Sequence, residues 1–325
     1  MSRYRSHLPQ LAGGLFVTDG GLETDLIFHD GYSLPQNASY VLLDEAAGVA
    51  RLTRYFEDYL AIADEHGLGV VLETATWRAS PDWAAKIGTP PATLAELNRK
   101  AVEMLVALRD RRAAGTTAHS ATAAAATPFV VSGCLGPRSD AYQPTEIMTP
   151  REAEDYHAVQ INTFRDTDAD MICAMTITNI PEALGIVRAS QAAQMPVAIS
   201  FTVETDGRLP TGPTLREAIE QVDSETHGAV AYYMINCAHP THFERALEPG
   251  EPWTERIGGL RANSSSKSHA ELNESPTIDE GNPVELGGQY RTLVQEFPHF
   301  RVLGGCCGTD HRHIREIATA CTRRS

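Results

Sequence analysis

The sequence predicts a single (β/α)8 TIM barrel, an α/β fold occupying residues 1–325 as one domain, and three observations carry that expectation. Eight short apolar or β-branched runs recur along the chain. Segments with helical periodicity or capping signals lie between them. The runs are apolar throughout instead of alternating, the pattern of parallel strands covered on both faces. A doubly wound sheet is the competing architecture, but no G-x-G-x-x-G of a dinucleotide-binding version follows the first run.

In chain order the expected strands are Leu15–Thr18, Gly69–Glu73, Phe129–Gly133, Asp170–Ile177, Val197–Val203, Val230–Asn236, Ile257–Ala262 and Arg301–Gly304. After the first strand, Leu52, Tyr55, Phe56, Tyr59, Leu60 and Ala63 fall on one stripe of a helix. Thr149-Pro150-Arg151-Glu152 and Thr214-Leu215-Arg216-Glu217 are capping boxes that start two further helices. Ile314, Ile317, Ala318 and Cys321 form the inner stripe of a last helix ending at Arg323-Arg324, where cations suit the dipole. Two stretches read as surface insertions. Gly115–Pro128 is an Ala/Thr-rich mobile linker, and the polar Asn263–Asn282, long for a βα loop, would sit over the catalytic face.

Composition narrows the function. With 42% hydrophobic and 21% charged residues the chain can bury a core, and a net charge of −15 argues against nucleic acid or an anionic membrane as partner. No opening apolar block reads as a secretory signal, and no run approaches the length of a membrane span. Six cysteines are too sparse for a disulfide scaffold, which points to reduced thiols and a cytoplasmic location. The expected partners are small molecules, with assembly as a homo-oligomer left open.

The strongest chemical signal is Gly304-Gly305-Cys306-Cys307-Gly308 at the end of the eighth strand. Adjacent Cα atoms are about 3.8 Å apart, so two neighbouring thiolates reach one metal only across a sharp turn, which flanking glycines permit. Cys237 stands at the end of the sixth strand, in Asn236-Cys237-Ala238-His239-Pro240. Both strand ends open on one face of a barrel, so Cys237, Cys306 and Cys307 would converge on a Zn2+ ion with one coordination position open. Cys134, Cys173 and Cys321 read as ordinary core residues. His239 and His242 read as capping or supporting residues, and His311-Arg312-His313 as a solvated helix start, because i and i+2 on a helix do not face each other.

With these motifs in place, the chain resembles the zinc-dependent homocysteine S-methyltransferase family, which includes betaine–homocysteine and S-methylmethionine–homocysteine methyltransferases. The matching pieces are Asp19-Gly20-Gly21-Leu22-Glu23-Thr24, Glu73-Thr74-Ala75-Thr76-Trp77-Arg78-Ala79-Ser80, Ser132-Gly133-Cys134-Leu135-Gly136-Pro137, Asn236-Cys237-Ala238-His239-Pro240 and the GGCCG run. The resemblance implies a (β/α)8 barrel holding zinc through Cys237, Cys306 and Cys307, with a thiol acceptor at the fourth position. Homocysteine is the leading acceptor and methionine the product. It further implies a clamp on the acceptor's amino acid end from Asp19, Gly20 and Gly21, whose glycine amides would be exposed, and pocket walls from Thr74, Met175 and Asn236. Thr76 either lines the pocket or finishes its strand.

One departure stands out. Relatives carry a Glu after the fourth strand that pairs with the acceptor's ammonium, and here that position is Met175. Either the acceptor lacks the ammonium, or another acid such as Glu73 or Glu204 takes over. The methyl donor is less defined. No folate or cobalamin module accompanies the barrel, and an acidic chain with Trp77, Tyr232 and Tyr233 near the mouth would suit a cationic sulfonium or betaine donor. Two rivals are a metal-dependent barrel hydrolase, which needs a His-x-His pair that the first strand lacks, and a non-catalytic zinc-storing or redox-sensing barrel.

Overall fold

The computed structural model describes residues 1–119, 127–142, 144–275 and 277–323. Eight parallel strands close into a barrel in sequence order. They are β1 Phe16–Val17, β2 Gly69–Glu73, β3 Phe129–Leu135, β4 Met171–Ile177, β5 Val197–Phe201, β6 Tyr232–Asn236, β7 Ile257–Ala262 and β8 Val302–Gly305, and β1 pairs with β8 to complete the ring. Every predicted run overlaps one of them, with β3 extending past its run to Leu135 and β8 past its run to Gly305. Seven of the eight are buried at every position, as expected of strands covered on both faces.

Seven long helices surround the barrel among the described residues. They are α1 Ala46–His66, α2 Pro91–His119, α3 Pro150–Arg165, α4 Ile180–Ala192, α5 Leu215–Thr226, α6 Pro283–Glu296 and α7 His311–Thr322. The predicted stripe of α1 is buried in full. Both predicted capping boxes form, with Thr149 and Thr214 accepting from the amides of Glu152 and Glu217. The last stripe packs inward at Ile314, Ile317 and Ala318, while Cys321 stays partly exposed and Arg324 lies outside the described residues.

The strand–helix alternation fails once. Between β6 and β7 the chain makes only a short turn of helix, Pro240–Phe243, and two 3-10 turns. The Ala/Thr-rich stretch also differs from the expected linker at its start, since α2 runs through Gly115 to His119. The rest of that expectation, over residues 120–126, lies outside the described residues.

The core has two parts. The larger lies between barrel and helices, and a smaller one fills the barrel interior with Phe16, Val71, Val130, Met171, Cys173, Met234 and Val302. Leu8 joins the interior cluster, and Gln10 in the short helix Pro9–Ala12 reaches Tyr232 and Met171, so the N-terminal segment plugs the end of the barrel opposite the cysteines. The opposite end stays open. No described helix is long and apolar enough to cross a membrane.

Candidate functional site

The C-terminal ends of the strands surround a cavity of about 410 Å3. Cys237 at the end of β6 and Cys306 and Cys307 after β8 line it, and their sulfur atoms all lie within 4.8 Å of one another. Cys237 Sγ and Cys307 Sγ are 3.7 Å apart.

Backbone geometry brings the three thiols together at a cost in strain. Cys237 has φ of +54°, in the left-handed region a non-glycine residue rarely visits. Its N–H donates to the Arg261 carbonyl, and its own carbonyl accepts from Asn263 Nδ2 and His269 Nε2, so three bonds over-determine the conformation. The turn after Cys307 needs Gly308, where φ is +77° and a Cβ would lie 2.1 Å from Ser264 Oγ. Thr309 Oγ1 donates to the Cys306 carbonyl and closes that turn.

The electrostatics single out Cys306. Hydrogen bonds from the Cys237 and Cys307 thiols, with Arg261 and Asn236 nearby, hold its pKa well below the ordinary thiol range. Cys237 is pushed up chiefly by its hydrogen bond with Cys306, and Cys307 by its hydrogen bonds with Cys237 and Cys306. A tetrahedral zinc with bonds of about 2.3 Å sets its sulfur ligands about 3.8 Å apart, close to the observed spacing, so the residues fit that ion. His239 is not part of the cluster: it accepts from the Thr241 amide as the cap of Pro240–Phe243, and His242 bonds the Ser266 carbonyl.

The substrate-end residues are distributed unevenly. Asp19, Gly20, Gly21, Thr74 and Met175 line the cavity. Asp19 is already engaged: Oδ1 accepts from Arg261 Nη1 at 2.9 Å and Oδ2 from the Tyr55 hydroxyl at 3.1 Å. The Gly21 amide is not exposed for a ligand, because it donates to the Thr309 carbonyl at 2.9 Å. What Gly21 supplies is closeness, since a Cβ there would lie 2.4 Å from the Cys306 carbonyl. Thr74 Oγ1 accepts from the Cys134 amide and lines the cavity, while Thr76, beyond the end of β2, donates to the Cys134 carbonyl and does not line it.

Asn236 departs from its expected place in the pocket wall. It is fully buried, accepts from the Thr176 amide and the Ser200 hydroxyl, donates to Thr176 Oγ1, and stands 3.8 Å from Cys306 Sγ. Thr176 has φ of +63°, so Asn236 pins a strained residue beside Met175.

The aromatic mouth also needs correction. Tyr232 faces the plugged end of the barrel, and Tyr233 faces outward to Asp223. Trp77 does line the cavity, but Arg78 lies 4.0 Å from its ring centroid and occupies that face. Tyr142 takes the expected aromatic position instead, with its hydroxyl 3.2 Å from Cys237 Sγ and its ring tilted 33° against that of His269 at 4.2 Å.

Several site residues carry no sequence signal. Arg261 is a lone charge in an apolar strand, and Tyr142 follows β3 in an irregular loop. The loop after β7 does cover the mouth, as its length predicts: Leu272 and Ser275 line the cavity. It is less of a surface feature than its composition suggests, because Ser264 and Ser265 are buried and His269 pairs with Glu204. Cys134 lines the cavity, unlike Cys173. His313 is not solvated but fully buried, bonded to Asp310 and the Glu280 carbonyl.

A closed parallel barrel with converging reactive side chains at the C-terminal ends of its strands defines a TIM-barrel enzyme. A family model described as homocysteine S-methyltransferase matches residues 16–321. The chain belongs to the homocysteine S-methyltransferase family, and it is a methyltransferase. It is 24% identical over 323 residues to homocysteine S-methyltransferase 4 of Zea mays, covering 95% of this chain and 90% of that protein. Its fold is similar to crystal structures of the homocysteine methyltransferase MmuM from Escherichia coli. The oxidized form superposes with a TM-score of 0.73 at 20% identity over 94% of this chain and 95% of that one. The metallated form gives 0.69 at 19% identity over 94% and 96%.

Proposed function

We propose that the protein is a zinc-dependent S-methyltransferase that moves a methyl group from a small activated donor to a thiol, with homocysteine as acceptor and methionine as product. The observation that carries this reading is the three-thiol cluster at the cavity floor, with its 3.7 Å Cys237–Cys307 spacing. Cys237, Cys306 and Cys307 would hold the ion. When bound, zinc supplies the charge that lowers the pKa of a coordinating thiol, ordinarily about 8.5, so that a thiolate is available at neutral pH.

The chain's own residues then position and shield. Asn236 directs its amide toward Cys306 and holds the backbone beside Met175. The loop with Leu272, and Tyr142 above the thiols, would keep water from the methyl in flight. Transfer is an in-line displacement: the acceptor sulfur forms a bond to the methyl carbon while the donor's heteroatom leaves with the electron pair. A sulfonium or quaternary ammonium donor is favoured, because the bond that breaks neutralises it. Six free thiols suit a reducing compartment, and we assign the enzyme to the cytoplasm.

The test is a donor-by-acceptor activity matrix on the zinc-loaded protein. Methionine is expected from homocysteine with a sulfonium or betaine donor, and the absence of transfer to any thiol would remove this function.

A further inference from the structure

Four acids line the cavity, Asp19, Glu23, Glu73 and Asp140, and of these Glu73 alone has a buried oxygen without a hydrogen-bond partner among the described residues. Asp19 has both oxygens engaged, and its charge is matched by Arg261 at 2.9 Å. Glu73, the last residue of β2, lines the same cavity at 6% exposure, yet its Oε2 has no hydrogen-bond partner among the described residues. Ser132 Oγ, on the neighbouring strand in register with Glu73, is likewise without one. Glu204, the other acid the sequence offers, is occupied by His269 and does not line the cavity. Glu73 is thus a buried carboxylate with capacity for a ligand.

The chemistry of that ligand follows from the orphaned oxygen. A carboxylate oxygen is satisfied by an N–H or O–H donor, and a buried anion also needs a cation. A sulfonium or quaternary ammonium group carries positive charge but no polar hydrogen. A primary ammonium supplies both. The cavity floor, next to the cysteines, is where a thiol acceptor must lie, with the methyl donor between it and the mouth. We propose that Glu73 receives the ammonium group of an amino acid thiol acceptor, the role that Met175 in the same cavity cannot perform. This rests on the thiol-acceptor reading above and makes the acceptor an amino acid thiol instead of a simple mercapto acid.

The test compares L-homocysteine with 4-mercaptobutanoate, which keeps the thiol and carboxylate and lacks the ammonium, on full-length zinc-loaded protein. Wild type is expected to favour homocysteine in kcat/KM, and Glu73→Gln to shrink that preference roughly 10- to 100-fold, through KM for homocysteine. An unchanged preference in Glu73→Gln overturns the proposal, as does equal use of the two thiols by wild type, an outcome that needs no variant to fold. Calorimetric binding of each thiol separates this from the activity itself. If no thiol is methylated, the proposed function falls, while homocysteine binding that is weakened in Glu73→Gln still supports the assignment of Glu73 and unweakened binding removes it.

Discussion

Arg261 and Asp19 form a buried ion pair at 2.9 Å across the mouth of the barrel, from strand ends 242 residues apart. The guanidinium also donates to the carbonyls of Gly20 and Gly305, so one side chain ties the loop after β1 to the loop that carries Cys306 and Cys307. Asp19 therefore acts first as Arg261's counter-ion. Removing one member of such a pair strands the other in a low-dielectric site.

Asp19→Ala is accordingly expected to destabilise the fold by about 3–5 kcal/mol, read as a fall in the midpoint of urea unfolding with an unchanged slope. A change under about 1 kcal/mol, the range of an exposed pair, would show that Arg261 is solvated without Asp19.

Asn236→Ala removes a side chain that satisfies the Thr176 amide, the Thr176 hydroxyl and the Ser200 hydroxyl. Each buried group left without a partner costs about 1–3 kcal/mol. Thr176 would also be free to leave its left-handed conformation. Thermal unfolding should show a large loss of stability, and a Thr176→Gly substitution in that background, which tolerates the positive φ, should recover part of it. No recovery would mean that Thr176 stores no strain.

Glu73 gives a pH signature. Burial raises its pKa from 4.5 to about 7, so the folded state holds this proton more tightly than the unfolded chain. The associated stability is fully present below pH 4.5 and is lost as pH rises through 7. Glu73→Gln resembles the protonated wild type. Unfolding free energies of the two, measured without ligand, should therefore run parallel below pH 4.5 and diverge toward pH 8 in favour of the variant, by about 3 kcal/mol at most. Curves that stay parallel throughout would place Glu73 in a site where its charge is already compensated.

The barrel was legible because each strand is an unbroken apolar run and the capping boxes mark helix starts by local chemistry. The missing helix between β6 and β7 left no such mark, since Pro240 opens a short helix as readily as a long one. Cys237, Cys306 and Cys307 were legible from strand-end position and glycine context. Arg261, Tyr142 and His269 were not, because each acquires its role from partners brought in by the closure of the barrel. Asn236 shows the same limit in reverse: its neighbour Cys237 suggested a pocket wall, whereas the pleat turns it toward Thr176 and Ser200.

The most direct measurement is metal content and methyl transfer determined together on wild type and Cys307→Ala. Wild type is expected to hold about one zinc per chain, and the variant to lose both zinc and transfer to homocysteine. A Cys307→Ala protein that folds and keeps full transfer activity would contradict this expectation.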